Sequence, residues 1–310
     1  MLKIRKPYFW DKKNSFLSIL LFPVSLITLI IVFFRKRFSC EIKFKIPVLC
    51  VGNIYIGGTG KTPASIFIAD KLFGAGVKSV IIRKNYKSHL DEYNQIKNNF
   101  KHLIIGKNRV EAIREAEKKG YEIAILDDGF QDLKIKKDLN IICFHQNQLA
   151  GNEFVLPAGP LRESLNSLKE ANLVLINGEK NFYFEERILK INKDLEIFYS
   201  YYKPLNINEF NSHKLLAVAG IANPNNFFEL LEKNNLQIEK KLIFPDHYKF
   251  TKNEIVNIVN QAKSQNLKII MTEKDFFKVN NFDINEINYL KVSLEIQNKE
   301  KFLNRIKKII

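Results

Sequence analysis

Apolar residues follow three patterns along this chain. The first is one unbroken block. Residues 15–34, SFLSILLFPVSLITLIIVFF, carry no charge over 20 positions, with Lys12 and Lys13 before them and Arg35-Lys36-Arg37 after. This predicts an apolar helix, and the sequence admits two placements: across a bilayer, or along its surface with the basic flanks on acidic headgroups. The second pattern is short runs, Val48-Leu49-Cys50-Val51, then 79–82, 102–105, 122–126, 139–144 and 173–176, which read as strands. The third is helical spacing over 64–73 and 109–119, closed by Gly74 and Gly76 and by Gly120. Strands alternating with helices predict a mainly parallel sheet covered on both faces.

The pattern shifts near residue 178. Residues 181–202 mix aromatic, charged and apolar positions and read as a linker or extra strands, while 83–100 are polar without clear periodicity. A second α/β region begins near Lys214, with helices over 227–234 and 255–264 and strands over 268–271 and 289–296. The expected organisation is a basic, apolar membrane-associated segment at 1–37, an α/β domain at 38–180, a strand-like linker at 181–212 and a smaller α/β domain at 213–310.

Composition changes this picture only slightly. The formal charge of +16 favours anionic partners such as acidic lipid or phosphorylated substrates, but lysine is abundant throughout. No recognition module or basic-aromatic stripe points to nucleic acid, so none is expected as a partner. Cys40, Cys50 and Cys143 lack metal-ligand spacing and suggest no disulfide framework.

The chemistry concentrates in Gly57-Gly58-Thr59-Gly60-Lys61-Thr62-Pro63, between a predicted strand and a predicted helix. Glycines there let backbone amides turn toward phosphate oxygens; Lys61 can reach the β- and γ-phosphates of ATP, and Thr62 can ligate Mg²⁺. Tyr55 stands where such a loop usually has its first glycine. Asp127-Asp128 ends an apolar strand, where a phosphate-loop enzyme places its metal partner. The sequence leaves open which of the two meets the metal directly. No base-reading Asn-Lys-x-Asp motif follows, which argues against a GTPase switch.

The ordered motifs GN at 52–53, GGTGKTP at 57–63, Asp91-Glu92, Arg109, DDGFQ at 127–131, LPAGPLRE at 156–163, FPDHY at 244–248 and TEKD at 272–275 resemble the tetraacyldisaccharide 4′-kinase family, the lipid A kinases. The resemblance implies a phosphate-loop NTPase-like α/β domain joined by a strand-like linker to a smaller α/β domain. It implies transfer of the γ-phosphate of ATP to the 4′-hydroxyl of a tetraacylated glucosamine disaccharide 1-phosphate, giving lipid IVA. It also implies work at the cytoplasmic face of the inner membrane, with membrane lipids as partners.

The resemblance assigns Gly57, Gly58, Thr59, Gly60, Lys61 and Thr62 to the nucleotide loop, and Asp127 and Asp128 to the metal. It makes Asp91 the base facing the sugar hydroxyl and His247 its support, and puts Glu92, Arg109 and Glu163 near substrate or metal. The chain departs from the family at Arg83-Lys84-Asn85-Tyr86-Lys87, at Leu90-Asp91-Glu92-Tyr93 and at Asp132. Two other readings compete: a phosphate-loop kinase of a soluble metabolite, which leaves residues 15–34 unexplained, and an ATP-binding membrane scaffold with little turnover.

Overall fold

The β-branched runs pair in parallel. The computed structural model describes residues 7–13, 15–86, 90–246 and 248–310, with Leu90 and Asp91 given by their backbone alone. The side chain of Asp91 and the whole of His247 therefore lie outside the described residues. In chain order the elements are α1 (Phe16–Arg37), β1 (Val48–Gly52), α2 (Lys61–Gly74), β2 (Ser79–Lys84), α3 (Leu90–Asn99), β3 (Leu103–Gly106), α4 (Arg109–Lys118), β4 (Ile123–Asp127), β5 (Leu139–His145), β6 (Leu173–Asn177), α5 (Phe182–Leu189) and β7 (Glu196–Pro204). They continue as β8 (Leu215–Ala219), α6 (Pro224–Lys233), β9 (Ile238–Ile243), α7 (Lys252–Ser264), β10 (Lys268–Thr272), α8 (Glu273–Val279), β11 (Ile287–Leu290), β12 (Val292–Ile296) and α9 (Lys299–Lys307).

The chain divides into two compact units: residues 1–85, 102–201 and 295–310 in one, 86–101 and 202–294 in the other. The larger sheet has the strand order β12-β7-β6-β5-β1-β4-β2-β3, and every pairing from β3 to β7 is parallel. β1, β4 and β6 are buried along their whole length, which is why they read as continuous apolar runs rather than alternating ones. Val48 and Cys50, Ala124 and Leu126, and Val174 and Ile176 join Ile113 of α4 and Ile188 of α5 in one core. Asp127 follows Leu126 and so points to the opposite face, where Ser65 of α2 meets it. The second unit has its own parallel sheet, ordered β11-β10-β8-β9, with Leu216, Val218, Ile255, Ile269 and Met271 among its core residues.

Two segments differ from the sequence pattern. The polar stretch before Phe100 contains α3, whose buried apolar face among the described side chains is Tyr93 and Ile96 with Phe100 after it, too few apolar positions to show a period. Residues 181–202 hold helix α5, capped by the Asn181 side chain accepting from the Phe184 amide at 2.9 Å, and then most of β7.

Helix α1 turns polarity inside out. Its buried residues are Ser18 and Ser25, flanked by half-buried Leu21, Thr28, Leu29, Val32 and Lys36, while Phe16, Ile19, Ile27, Ile30, Phe33 and Phe34 are exposed. Ser25 Oγ donates to the Val155 carbonyl at 2.7 Å and accepts from the Ala158 amide at 3.0 Å. Asn152 donates to Ser18 Oγ at 2.9 Å, and just before the helix Trp10 Nε1 donates to the Pro157 carbonyl at 3.0 Å. Beyond its end, Ser39 Oγ donates to the Leu133 carbonyl at 2.6 Å. The helix, about 33 Å long at 1.5 Å per residue, is thus fastened to the first unit from one end to the other.

Candidate active site

The glycine loop leaves β1 and enters α2 through Gly60, which sits at φ 90° as the residue preceding the helix. A side chain there would be strained in that left-handed conformation. No side chain caps α2, so its first amides remain available to an anion and its dipole favours one. Asn53 braces the loop by donating to the Gly57 carbonyl at 3.2 Å and to Thr59 Oγ1 at 3.1 Å.

Tyr55 occupies the usual glycine position as a single bridge residue between bends at Ile54 and Ile56. Tyr55 bridges Leu161, the Ile56 amide donates to the Pro160 carbonyl at 2.9 Å, and the Arg162 amide donates to the Ile54 carbonyl at 2.7 Å. This pairing draws the LPAGPLRE segment beside the glycine loop and delivers Arg162 to it.

Asp127 is fully buried at the end of β4. It accepts from Thr62 Oγ1 at 2.9 Å, Arg83 Nη1 at 2.8 Å and Ser65 Oγ at 3.3 Å. Asp128 follows at φ 57°, an uncommon conformation that aspartate tolerates better than most residues. Its Oδ1 lies 3.0 Å from Arg162 Nη1 and 3.6 Å from Lys61 Nζ. Burial opposes its charge, but Lys61, Arg162, Arg83 and Arg109 together outweigh that and hold the carboxyl below the usual carboxylate range. Arg109 Nη2 donates to the Asp127 and Asp128 carbonyls at 3.3 and 2.7 Å, and Nη1 lies 3.5 Å from Asp132. Gln131 accepts from Arg162 at 3.3 Å and donates to the Asn53 carbonyl at 2.8 Å, closing the circuit. Burial pushes the thiols of Cys50 and Cys143 up to about 12, so neither supplies a thiolate here.

Lys61, Thr62, Asp127, Asp128 and Arg109 therefore come together around the loop formed by Gly57, Gly58, Thr59 and Gly60. Glu163 faces elsewhere: nearly buried, it pairs with Lys36 Nζ at 2.7 Å and accepts from Ser167 Oγ at 2.8 Å. Glu92 belongs to the second unit, where Lys274 Nζ lies 3.3 Å from it and 3.2 Å from Asp246. In that unit Asp275 accepts from the Gly220 amide and Thr272 Oγ1, both at 2.7 Å, so the TEKD segment caps its own helix. Glu273 accepts from Gln95 and Asn99 of α3 at 3.3 and 3.2 Å; burial raises its pKa against those bonds.

Sequence reasoning passed over Arg83 and Arg162 as site residues. Arg83 stands near the end of the buried strand β2 as a charge after three apolar residues, and Arg162 sits inside LPAGPLRE; both were visible as cations in suggestive places, though not as partners of the aspartates.

A parallel sheet with its polar groups gathered at the carboxyl ends of the central strands is the architecture of α/β nucleotide-handling enzymes. Comparison with known proteins narrows this. The family described as LpxK, tetraacyldisaccharide-1-P 4′-kinase, matches residues 17–310. A tetraacyldisaccharide 4′-kinase of Pelagibacter ubique is 41% identical over 314 residues, covering 99% of each chain. One from Francisella tularensis subsp. novicida is 32% identical, covering 93% of this chain and 98% of its own. The solved structure of LpxK from Aquifex aeolicus, an "apo" form in complex with ATP, superposes with a TM-score of 0.73 at 24% identity over 94% of this chain and 99% of that one, a likeness of fold. The chain belongs to the tetraacyldisaccharide-1-P 4′-kinase family. It is a kinase, and its co-substrate is a nucleotide.

Proposed function

We propose that this chain transfers the γ-phosphate of ATP to the 4′-hydroxyl of a tetraacylated glucosamine disaccharide 1-phosphate, the step that yields lipid IVA in lipid A biosynthesis. The observation that carries this reading is the Thr62–Asp127 contact beside Lys61 and Asp128, in a chain of this family. The glycine loop acts as a phosphate loop: its amides and the start of α2 take phosphate oxygens, and Lys61 neutralises charge on the terminal phosphates. Thr62, Asp127 and Asp128 offer only oxygen donors, the set a hard cation such as Mg²⁺ takes with one or two carboxylates. When bound, Mg²⁺ supplies charge neutralisation on the phosphates. Arg83 and Arg109 hold the two aspartates in place.

On the acceptor side, Asp91 takes the proton of the 4′-hydroxyl as its oxygen bonds to the γ-phosphorus and the bond to ADP breaks. His247 supports that carboxylate, and Glu92 lies next to it in sequence. A loose transition state asks for alignment more than for a strong base.

The polarity of α1 supports attachment along the bilayer surface. Its serines and Lys36 face the protein, with Leu21, Leu29 and Val32 half-buried beside them, while most of its aliphatic and aromatic residues face out. A helix fastened along its whole length would have to pull the body into lipid in order to cross. It lies instead at the cytoplasmic face, where ATP is found, with its outer residues in the acyl-headgroup boundary. The test is to incubate purified protein with γ-labelled ATP, Mg²⁺ and the detergent-dispersed acylated disaccharide 1-phosphate. Label moving to the lipid supports the reading, and label released only as inorganic phosphate rejects it.

A further inference from the structure

The basic cluster that ends α1 does not act as one. Arg35 and Arg37 are exposed, but Lys36 turns inward. Its Nζ sits 2.7 Å from Glu163, 2.8 Å from Glu170 and 3.4 Å from Ser167 Oγ, and 5.9 Å from the centre of the Phe130 ring. Glu163 and Phe130 belong to the LPAGPLRE and DDGFQ segments, both of which line the nucleotide site. Glu163 is 4% exposed, so its charge depends on Lys36 for compensation. The residue before it, Arg162, pairs with Asp128 Oδ1, the same oxygen that faces Lys61. Lys61 and Arg162 thus converge on one carboxylate oxygen, which puts both cations beside the glycine loop.

We propose that Lys36 is a positioning residue: through Glu163 it fixes Arg162 against the terminal phosphate, and so ties the lipid-facing helix to the nucleotide site. This rests on the nucleotide-site reading above. Removing the ammonium leaves Glu163 buried without a cation. The segment then shifts or takes up a proton, and Arg162 loses its fixed approach. Lysine alone of the three basic residues performs this task; the other two remain free for lipid headgroups.

The test uses the full chain in detergent, with Lys36→Ala, Lys36→Arg and Arg35→Ala beside the parent. Titration calorimetry with ATP and with ADP in Mg²⁺ reads the contribution of the terminal phosphate alone. Lys36→Ala is expected to cut the preference for ATP over ADP about threefold and kcat for transfer about tenfold, while ADP affinity and co-sedimentation with phosphatidylglycerol vesicles stay within twofold. Lys36→Arg should recover most of both losses, and Arg35→Ala should alter only vesicle binding. An unchanged ATP preference in Lys36→Ala, or an equal loss for ATP and ADP, overturns the proposal. So does a kcat loss that disappears once the fraction of folded protein is counted. If the parent binds ATP over ADP but transfers nothing to the disaccharide, the acceptor assignment fails while the calorimetric arm still decides the role of Lys36.

Discussion

Thr62 Oγ1 and Asp127 Oδ2 lie 2.9 Å apart, joining the first turn of α2 to the end of β4. The same carboxylate receives Arg83 and Ser65, so one buried aspartate fixes the glycine loop, the end of β2 and α2 at once. Thr62→Ala removes a hydroxyl from a site that keeps its charges balanced. It should lower kcat on the order of 10²-fold and stability by about 1 kcal/mol. Asp127→Ala strips the counter-ion from Arg83, which is 3% exposed, and should cost about 3–5 kcal/mol as well as activity. Thermal unfolding and turnover measured on both variants separate the two effects; equal stability losses would contradict this division.

Asp128 contributes a pH dependence from within the site. Its folded pKa is depressed below the ordinary 3.8, so its ionised form stabilises the fold above the unfolded pKa. That stabilisation is lost as pH falls through the folded value. Melting temperature should therefore drop below about pH 4, and drop less steeply in Asp128→Asn. Coincident Tm–pH curves for the two proteins would reject the depressed pKa.

Much of this was legible in the chain, for physical reasons that stop at definite places. Lys61 and Thr62 are readable because a glycine loop fixes their spacing, and Asp127 because that loop gives an acidic pair at a strand end a phosphate site to serve. Arg162 is not readable, because it arrives through the pairing of residues 54–56 with 160–162, which local pattern does not encode. Helix α3 hides behind a face of two or three apolar residues. In α1 the apolar run masks its own orientation: hydrophobicity marks the lipid side, and only the contacts of Ser18 and Ser25 identify the protein side.

That division of faces is testable by contrast. Ser25→Ala leaves the buried Ala158 amide without its hydroxyl partner, while the Val155 carbonyl keeps the Gly159 amide, and should cost about 1–3 kcal/mol with lipid binding retained. Ile27→Ser with Ile30→Ser, on the exposed side, should leave Tm within a degree or two and weaken vesicle co-sedimentation severalfold. Vesicle binding lost only with Ser25→Ala would reverse the assignment.

Lys274 spans Glu92 and Asp246, the neighbours in sequence of Asp91 and His247. Lys274→Met should lower kcat for transfer about tenfold, the low end for a group that aligns catalytic residues, with ATP affinity unchanged. Asp91→Asn and His247→Ala should each do the same. If Asp91 and His247 act as a unit, the double variant loses less than the product of the single losses. Fully multiplicative losses would mean separate roles, and a parental rate for Asp91→Asn would remove it as the base.

The position of the new phosphate decides between transfer to the 4′-hydroxyl and any other use of ATP. Purified protein, ATP and Mg²⁺ are incubated with the tetraacylated disaccharide 1-phosphate, and the lipid product is examined by correlated ³¹P–¹H NMR. One new phosphomonoester coupled to the proton at the 4′ carbon of the distal glucosamine is expected, absent with Lys61→Ala. A phosphate at any other hydroxyl, or ATP consumed with the disaccharide left unmodified, would contradict transfer to the 4′-hydroxyl.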